Sequence, residues 1–475
     1  MVVNPPSESL TPRWFSIRRA RIFLLTTLSV LLGMSFYVLL GLWIAPSVQV
    51  LYEGSTNVVF APTHFNDARQ YVMICVQGYD VAYSTLPTLT RSRINWMPVY
   101  AVLQCAAHQI GHLSLIYTSW AISTLAIGLV LLAGIGTLRN LQVRLPLLSI
   151  WAVLFPLIGG AWLYLASVEA TYLAVGMVVM WLITLPLPRY AVGELARVVG
   201  GVALGCTFFL TKPNALAFLL PLTFAFVYQS WRYSQQIGYA GGFWTFAADV
   251  VIEHVRPLLA PLLSRIGTRF KVTVTLDPCP IVYAWAPLAV GAGVIVGLAY
   301  WLMFTSRLSG VPLYFLQQQT TVWGRAWPSG NVQQMVYYFA QAFYRLQPFG
   351  GIPPWRMNAA WNLAANVSAL IPAASRRVPG LVRGMLPLVL IFLLYSGAVH
   401  GSDRYILSTA LVAIGWACWL SPAISTKPVK ARTRFIWGAL RWLFVLSLFG
   451  ITAALLLNQM LPIGEPNAWG VLDFS

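Results

Sequence analysis

Long apolar stretches alternate with short polar segments along most of the chain, and this alternation predicts a bundle of membrane helices. A transmembrane helix needs about 20 mainly apolar residues, so each stretch near that length bounded by charge, proline or glycine is a candidate. The candidate spans are 22–45, 115–137, 145–164, 168–187, 196–211, 213–231, 281–304, 356–373, 384–400, 404–420 and 435–457. We therefore predict an all-α polytopic membrane protein with about eleven transmembrane helices.

Two stretches are open to more than one assignment. Residues 98–112 form an apolar run that is short for a span, so we expect an interfacial or re-entrant helix there. The span at 356–373 is also open, because three asparagines, Asn358, Asn362 and Asn366, lower its hydropathy.

The order of the segments predicts one integral membrane domain over 1–475. The first span is followed by a long extracytoplasmic loop, 46–112, that carries the interfacial helices. The remaining parts are spans two to six in 115–231, a cytoplasmic amphipathic loop in 232–280, span seven in 281–304, a second extracytoplasmic loop in 305–355 and spans eight to eleven in 356–457.

Composition and charge agree with this topology. Of 475 residues, 58% are apolar and 9% are charged, whereas roughly a quarter of residues are charged in soluble globular proteins. The net charge is +18, but the basic residues lie between apolar runs, and most fall in loops that an inside N-terminus assigns to the cytoplasm. Membrane topology explains the charge, so we predict no nucleic-acid partner.

The five cysteines are odd in number and scattered along the chain, at Cys75, Cys105, Cys206, Cys279 and Cys418. This spacing indicates neither a disulfide framework nor a zinc site.

The segment from Asn66 to Tyr79 carries the clearest local pattern in the polar loops. Read as a helix, it sets Asp67, Tyr71, Ile74 and Gly78 on one face, and the glycine ends it. A carboxylate in the first helical turn is stabilised by the helix dipole and can act as a general base towards a hydroxyl group. The alternative is that Asp67 only caps the helix, as Asp often does.

Further charged residues gather at the mouths of the spans on the extracytoplasmic side. Glu169 opens the fourth span, Lys212-Pro213-Asn214 opens the sixth and Asp403-Arg404 opens the tenth, while Arg325 lies in the outer loop. Cations beside helix N-termini suit an anion such as a phosphate. In the alternative interpretation, Lys212 and Arg404 are interfacial anchors that snorkel to the lipid headgroups.

In their order along the chain, these motifs resemble a known enzyme family. The motifs are Asp67-x-x-x-Tyr71-x-x-Ile74-x-x-x-Gly78-Tyr79, Met97-Pro98-Val99-Tyr100, Ser167-Val168-Glu169, Lys212-Pro213-Asn214, Trp323-Gly324-Arg325 and Arg404-Tyr405. The chain resembles the GPI mannosyltransferase II (PIG-V-like) family and its prokaryotic relatives, in the GT-C superfamily of polytopic glycosyltransferases. It departs from the family pattern at Asn66, where Trp is usual, and at Met97, where a second aromatic residue is usual.

The resemblance implies transfer of a sugar, most often mannose, from a polyprenyl-phosphate or dolichyl-phosphate donor to a glycan, lipid or protein acceptor outside the cytoplasm. Asp67 then maps onto the catalytic carboxylate. We expect Glu169 to be a second catalytic carboxylate, near the acceptor or near a cation beside the phosphate, and we expect Arg404, Lys212 and Arg325 near the donor phosphate. Tyr71, Asn214 and Asp403 are expected to contact the acceptor or to support these groups.

Several points stay open at this stage. No cofactor is indicated, although a divalent cation at Glu169 remains an alternative. The few cysteines and the lack of a convincing glycosylation site favour a bacterial plasma membrane over the endoplasmic reticulum membrane. The competing class of function is a polytopic transporter or lipid flippase, which would place charges near the middle of its spans and use them from both sides.

Overall fold

The computed structural model describes residues 66–79, 93–112, 115–143, 168–188, 190–250, 281–321, 369–396 and 409–421, with isolated residues in 24–35 and 436–443. Every regular element among them is helical. The main helices are α1 (Asn66–Gln77), α2 (Pro98–Gly111), α3 (Leu115–Asn140), α4 (Val168–Thr184), α5 (Ala191–Thr211), α6 (Leu219–Gln236), α7 (Trp285–Ser309), α8 (Tyr314–Thr321), α9 (Gly380–Ser396) and α10 (Ala410–Leu420). Short 3₁₀ helices occupy Arg93–Asn95 and Pro213–Phe218.

Three of these helices, α3, α5 and α7, are long and apolar enough to cross a membrane. Helices α4, α9 and α10 are apolar but shorter in the part that the structure describes. Together with the low content of charged residues, these helices identify the chain as an integral membrane protein.

The described helices follow the predicted spans to within a few residues. The predicted span 115–137 corresponds to α3, and 168–187 corresponds to α4. The predicted span 213–231 instead starts as a 3₁₀ helix at Pro213 and continues as α6 to Gln236. Tight 3₁₀ turns are common at helix starts, and here the Ala215 N–H donates to the Lys212 carbonyl at 3.1 Å.

The number of spans stays a prediction. The stretches 22–45, 145–164, 356–373 and 435–457 lie wholly or mainly outside the described residues. The same holds for the proposed amphipathic helix after residue 250, although residues 243–250 before it are helical.

Helices α5 and α7 cross with their backbones in contact. Both carry glycines four residues apart, Gly201 and Gly205 on α5 and Gly293 and Gly297 on α7. A Cβ atom at Gly205 would overlap the carbonyl oxygen of Val290, and one at Gly293 would overlap that of Val202. Small residues at this spacing allow membrane helices to approach closely, because lipid offers no hydrophobic force to hold helices together.

Contacts between helix termini show which termini lie at the same end of the bundle. Near the end of α3, Asn140 donates a hydrogen bond to Thr184 at the end of α4, with 3.3 Å between Nδ2 and Oγ1. Tyr233, near the end of α6, donates to the Leu185 carbonyl at 3.3 Å. We call this side the Arg139 end. Opposite it, the start of α4 meets the end of α5 at Glu169 and Lys212, and we call that side the Glu169 end.

Helix α10 lies in the centre of the apolar core. Ten of its eleven residues are buried, and its side chains share one cluster with those of α3, α4, α5 and α9. Because neighbouring helices bury nearly all of its residues, α10 lies in the middle of the described bundle.

The short helix α1 forms as the sequence pattern predicts. It spans Asn66–Gln77, and among its described side chains Tyr71 and Ile74 are buried and packed against α2. Gly78 ends it with φ of 76°, and the Gly78 N–H donates to the Ile74 carbonyl at 2.8 Å. This left-handed conformation favours glycine because it carries no Cβ.

The expectation that the cysteines form no disulfide is wrong for one pair. Cys75 on α1 and Cys105 on α2 are bonded, and their Cα atoms are 5.3 Å apart. Scattered spacing gave no sign of this pair, because it depends on how two separate helices pack. The small number of cysteines therefore no longer favours a bacterial plasma membrane over the endoplasmic reticulum membrane.

We expect the close crossing of α5 and α7 to make Gly205→Ala destabilising. The added methyl group must push two backbones apart, which costs about 1–3 kcal/mol or more. The matched control is Gly200→Ala in the same helix, where a Cβ would meet no atom within 4 Å and alanine is the better helix former. Thermal unfolding in detergent, followed by tryptophan fluorescence, checks both. Equal midpoints for the two variants would contradict the crossing.

Candidate functional site

Glu169 and Lys212 form a buried ion pair where α4 begins and α5 ends. The Lys212 Nζ atom lies 2.7 Å from Glu169 Oε1, and both side chains are almost fully buried. Glu169 belongs to the first turn of α4, where the helix dipole favours a carboxylate. Charges this deep are tolerated only when they are paired, so each residue accounts for the burial of the other.

The backbone at Lys212 explains how the cation reaches this position. Lys212 is extended, with φ of −159° and ψ of 133°, between the last turn of α5 and the 3₁₀ helix that Pro213 opens. Pro213 has no N–H, so the chain can leave α5 here without burying an additional unpaired donor. The Lys212 side chain turns to the start of α4 and does not snorkel to the headgroups.

Aromatic rings line the cationic side of the pair. Lys212 Nζ lies 5.8 Å from the centre of the Tyr172 ring, a distance at which a cation is attracted to the ring face. Tyr172 in turn stacks on Phe208, with 4.9 Å between centroids, and Phe208 meets Phe218 edge-on. These rings shield the pair from water and fix the helix ends around it.

Two hydroxyl groups next to Glu169 have no hydrogen-bond partner among the described residues. They are Thr171 Oγ1 and Tyr172 Oη, and both atoms are buried. Buried polar atoms in proteins are nearly always hydrogen-bonded, so bound water is expected beside these two groups. Both belong to the same helix turn as the buried carboxylate.

Tyr100 connects three helices at the Glu169 end. Its side chain on α2 is fully buried, and its ring meets the Tyr71 ring of α1 edge-on, with centroids 4.9 Å apart. Burial raises the pKa of the Tyr100 phenol, the hydroxyl groups of Ser119 and Ser123 on α3 lower it, and the charge of Glu169 on α4 raises it. The Tyr100 side chain therefore lies beside polar groups of α3, while its ring packs against Tyr71 of α1 and Val168 of α4.

A second polar contact fixes α2 on α3. The Gln104 Nε2 atom donates to Ser119 Oγ at 2.5 Å and to the Leu115 carbonyl at 3.3 Å. Gln104 and Ser119 are both buried, so these bonds are made away from water. Helix α2 is thereby held at a defined place above the first turns of α3.

The structure brings together part of the predicted site. Glu169 and Lys212 are in contact, Tyr71 packs with Tyr100 and with Val168, the residue before Glu169, and Asn214 lies two residues beyond Lys212 in the 3₁₀ helix. Asp67 lies in the first turn of α1, four residues before Tyr71. Three predicted residues, Arg325, Asp403 and Arg404, lie outside the described residues.

The sequence interpretation missed Tyr100 and Tyr172 as members of this site. Met97-Pro98 marked the start of α2, and Tyr100 follows in its first turn, but nothing in the spacing showed that it would contact α1 and α4. Tyr172 lies three residues after Glu169, which is the same helix face. That spacing was the one signal that could have identified it.

Metal binding has no ready-made cluster in the described part of the chain. Among those residues, no group of three His, Cys, Asp or Glu side chains is placed to hold an ion. His108 lies in α2, whereas His112 follows the helix end with φ of 49°, so the two do not share a helical face.

Comparisons with known proteins give distant structural likenesses. No protein-family model and no curated protein matches the chain. Three similar solved structures are of the Archaeoglobus fulgidus oligosaccharyltransferase. They are the apo form (14% identity, TM-score 0.41), AglB with an inhibitory peptide and a dolichol-phosphate (12%, 0.40) and a form tethered through a disulfide bond to an acceptor peptide containing the NVT sequon (12%, 0.40).

Each likeness covers 90% of this chain and 55–56% of the archaeal one, so the chain spans just over half the length of these structures. At this identity and TM-score the likeness carries no argument about activity, and we base none on it.

We expect the ion pair to show strong coupling in a double-mutant cycle. Lys212→Met leaves the Glu169 charge buried without its lysine, which should cost about 3–5 kcal/mol. The double variant Glu169→Gln/Lys212→Met removes both charges and should lose far less than the sum of the single variants. Arg139→Met, an exposed cation at the opposite end, is the control and should change stability by less than about 0.5 kcal/mol. Unfolding in detergent measures all four, and additive effects would contradict the pairing.

Proposed function

We propose that the protein is an integral membrane glycosyltransferase of the GT-C type that moves a sugar from a polyprenyl-phosphate donor to an extracytoplasmic acceptor. One observation carries the proposal. Glu169 and Lys212, from separate parts of the chain, meet at one end of the bundle, and α1, which bears Asp67, packs there through Tyr71 against Tyr100 and Val168.

A lipid-phosphate sugar makes two chemical demands on such a site. Its reactive carbon lies at the membrane boundary, so the catalyst needs a base for the acceptor hydroxyl and positive charge for the departing phosphate. We assign the base to Asp67, which removes the hydroxyl proton as the acceptor oxygen attacks the anomeric carbon. The bond to the lipid phosphate breaks in the same step, and the anomeric configuration inverts.

Positive charge for the phosphate comes, in this proposal, from Arg404, Lys212 and Arg325. Glu169 has a different role: its carboxylate holds the Lys212 ammonium in place at 2.7 Å. Fixed charges aimed at the developing anion need no rearrangement during reaction, which is the main source of electrostatic catalysis. Asn214, Tyr71 and Asp403 are assigned to acceptor contacts or to support of these groups.

The position of the charges argues for transfer over transport. Glu169 lies in the first turn of α4 and Lys212 at the end of α5, so the pair lies at the helix ends. A transporter or flippase is expected to place its charges near the middle of the spans. We propose mannose as the sugar, and this choice rests on the family resemblance alone.

We place the site on the extracytoplasmic face of the membrane. The Cys75–Cys105 bond joins α1, which carries Asp67, to α2, and disulfides persist in oxidising compartments such as the periplasm and the endoplasmic reticulum lumen. Both a bacterial plasma membrane and an endoplasmic reticulum membrane satisfy this condition.

Asp67→Asn should abolish transfer while preserving the fold, because it keeps the shape of the side chain and removes its basicity. Loss of a general base costs about 10²–10⁴-fold in rate. The measurement is release of polyprenyl phosphate from a radiolabelled sugar donor by purified protein in lipid. Asp249→Asn is the matched control, since Asp249 follows α6 at the Arg139 end and bonds Tyr239 at 2.6 Å. A wild-type rate for Asp67→Asn would refute the assignment.

Arg404→Ala should slow release of polyprenyl phosphate by about 10²–10³-fold, because a cation at the departing phosphate stabilises the transition state. Arg139→Ala serves for comparison. It removes an exposed arginine that bonds Thr26 at 2.8 Å at the opposite end of α3, and the rate should not change. Similar losses in both variants would mean that no special cationic site exists at the Glu169 end.

A further inference from the structure

Helix α1 is held by contacts at Tyr71 and beyond. Among its described side chains Tyr71 and Ile74 are buried, and both pack against α2. Arg93 donates to Gln77 Oε1 at 2.6 Å and to the Gly78 carbonyl at 3.2 Å. These described contacts lie one to three helical turns after Asp67, so Asp67 is carried at the start of a helix that is fixed further along.

Helix α2, against which α1 packs, is fixed on α3. Tyr100 and Gln104 on α2 are fully buried, and Gln104 bonds Ser119 in the first turns of α3. Pro98 begins α2, where its fixed φ suits a first helical turn. Cys105 follows Gln104 directly, so the disulfide joins the helix that carries Asp67 to a helix that is itself held on α3.

The disulfide lies two helical turns beyond Asp67. Cys75 is eight residues after Asp67 in the sequence, and Tyr71 lies midway between them on α1. The bond and the Tyr71–Tyr100 ring contact are thus two separate links, one covalent and one not, along a single helix. Reduction opens the covalent link and leaves the ring contact in place, so the contribution of the disulfide can be measured separately.

We propose that the Cys75–Cys105 disulfide is a positioning link that keeps α1, and with it Asp67, against α2, so that sugar transfer depends on the oxidised state of this pair. The inference rests on the proposed function, because it makes the action of the base Asp67 depend on the disulfide. Neither cysteine touches the substrate in this scheme; both act through the helix that carries Asp67.

A dithiol can supply the two electrons that reduce the Cys75–Cys105 disulfide. One thiolate of the dithiol attacks a sulfur of the pair and forms a mixed disulfide, and the second thiol closes the ring of the dithiol. Two electrons and two protons pass to the protein, which leaves Cys75 and Cys105 as thiols and the reagent as a cyclic disulfide. Both cysteines are partly exposed, so the reagent has access.

The test uses the full chain in lipid nanodiscs and two independent measurements. Hydrogen exchange of the α1 amides reports whether the helix is held, and kcat and KM for the donor report transfer. The variants are Cys75→Ser/Cys105→Ser and, as the matched control, Cys206→Ser, which removes a free cysteine of α5. Each is measured with and without dithiothreitol.

The expected result is specific. Dithiothreitol should speed α1 exchange at least tenfold in the wild type and in Cys206→Ser, lower kcat by about tenfold or more, and leave KM for the donor within twofold. The double variant should behave like the reduced wild type and show no further response to the reagent. Removal of the reagent and reoxidation should restore the wild-type kcat.

Three outcomes would overturn the inference. Maleimide labelling of both Cys75 and Cys105 in the unreduced, denatured wild type would show that no bond forms. Unchanged α1 exchange after reduction would show that the bond positions nothing. Faster exchange of the α1 amides with an unchanged kcat would show that the reaction does not depend on how firmly α1 is held. If the oxidised wild type releases no polyprenyl phosphate, the proposed function fails instead, and the exchange measurement still reports on the link.

Discussion

A buried ion pair constrains the described structure more than any other single contact. Glu169 and Lys212 lie 43 residues apart in the chain, and neither charge is tolerable at this depth without compensation. Helix α4 must therefore begin where α5 ends, and the chain must leave α5 in an extended conformation to bring the ammonium across. The aromatic stack of Tyr172 and Phe208 fills the space that remains beside the pair.

The glycine crossing supports this arrangement from the other side of α5. Because Gly205 and Gly293 let the backbones of α5 and α7 touch, α5 cannot shift sideways or rotate without a clash. Lys212 extends from a helix whose position is fixed by sterics, whereas Glu169 extends from a helix fixed by the apolar core around α10. The flexible Lys212 side chain is thus held in a definite position, because α5 and α4 are each fixed by their own packing.

Local features of the structure could be predicted from the sequence, and long-range ones could not. The face of α1 and its end at Gly78 follow from helical spacing and from the special conformation of glycine, and Pro98 and Pro213 mark helix starts. The sequence also placed Glu169 and Lys212 on one side of the membrane, but not in contact with each other. Which carboxylate meets which cation, and which cysteines meet, depends on packing between distant segments that spacing does not encode.

The role of Tyr100 shows the same limit. Its phenol faces Ser119 and Ser123, and its ring faces Tyr71, so it contacts residues that come before and after it in the chain. A single tyrosine in the first turn of a short helix carries no such information by itself. The cluster becomes visible only when α1, α2, α3 and α4 are seen together.

The distance along the chain between the glycine crossing and the ion pair has an evolutionary consequence. Gly205 and Lys212 are separated by about two helical turns, and each residue added or removed between them would rotate the lysine by about 100° and shift it by about 1.5 Å. Such a change would break the contact with Glu169 even if every side chain were kept. Insertions and deletions should therefore be absent from this stretch in related chains, while the extramembrane loops vary freely in length.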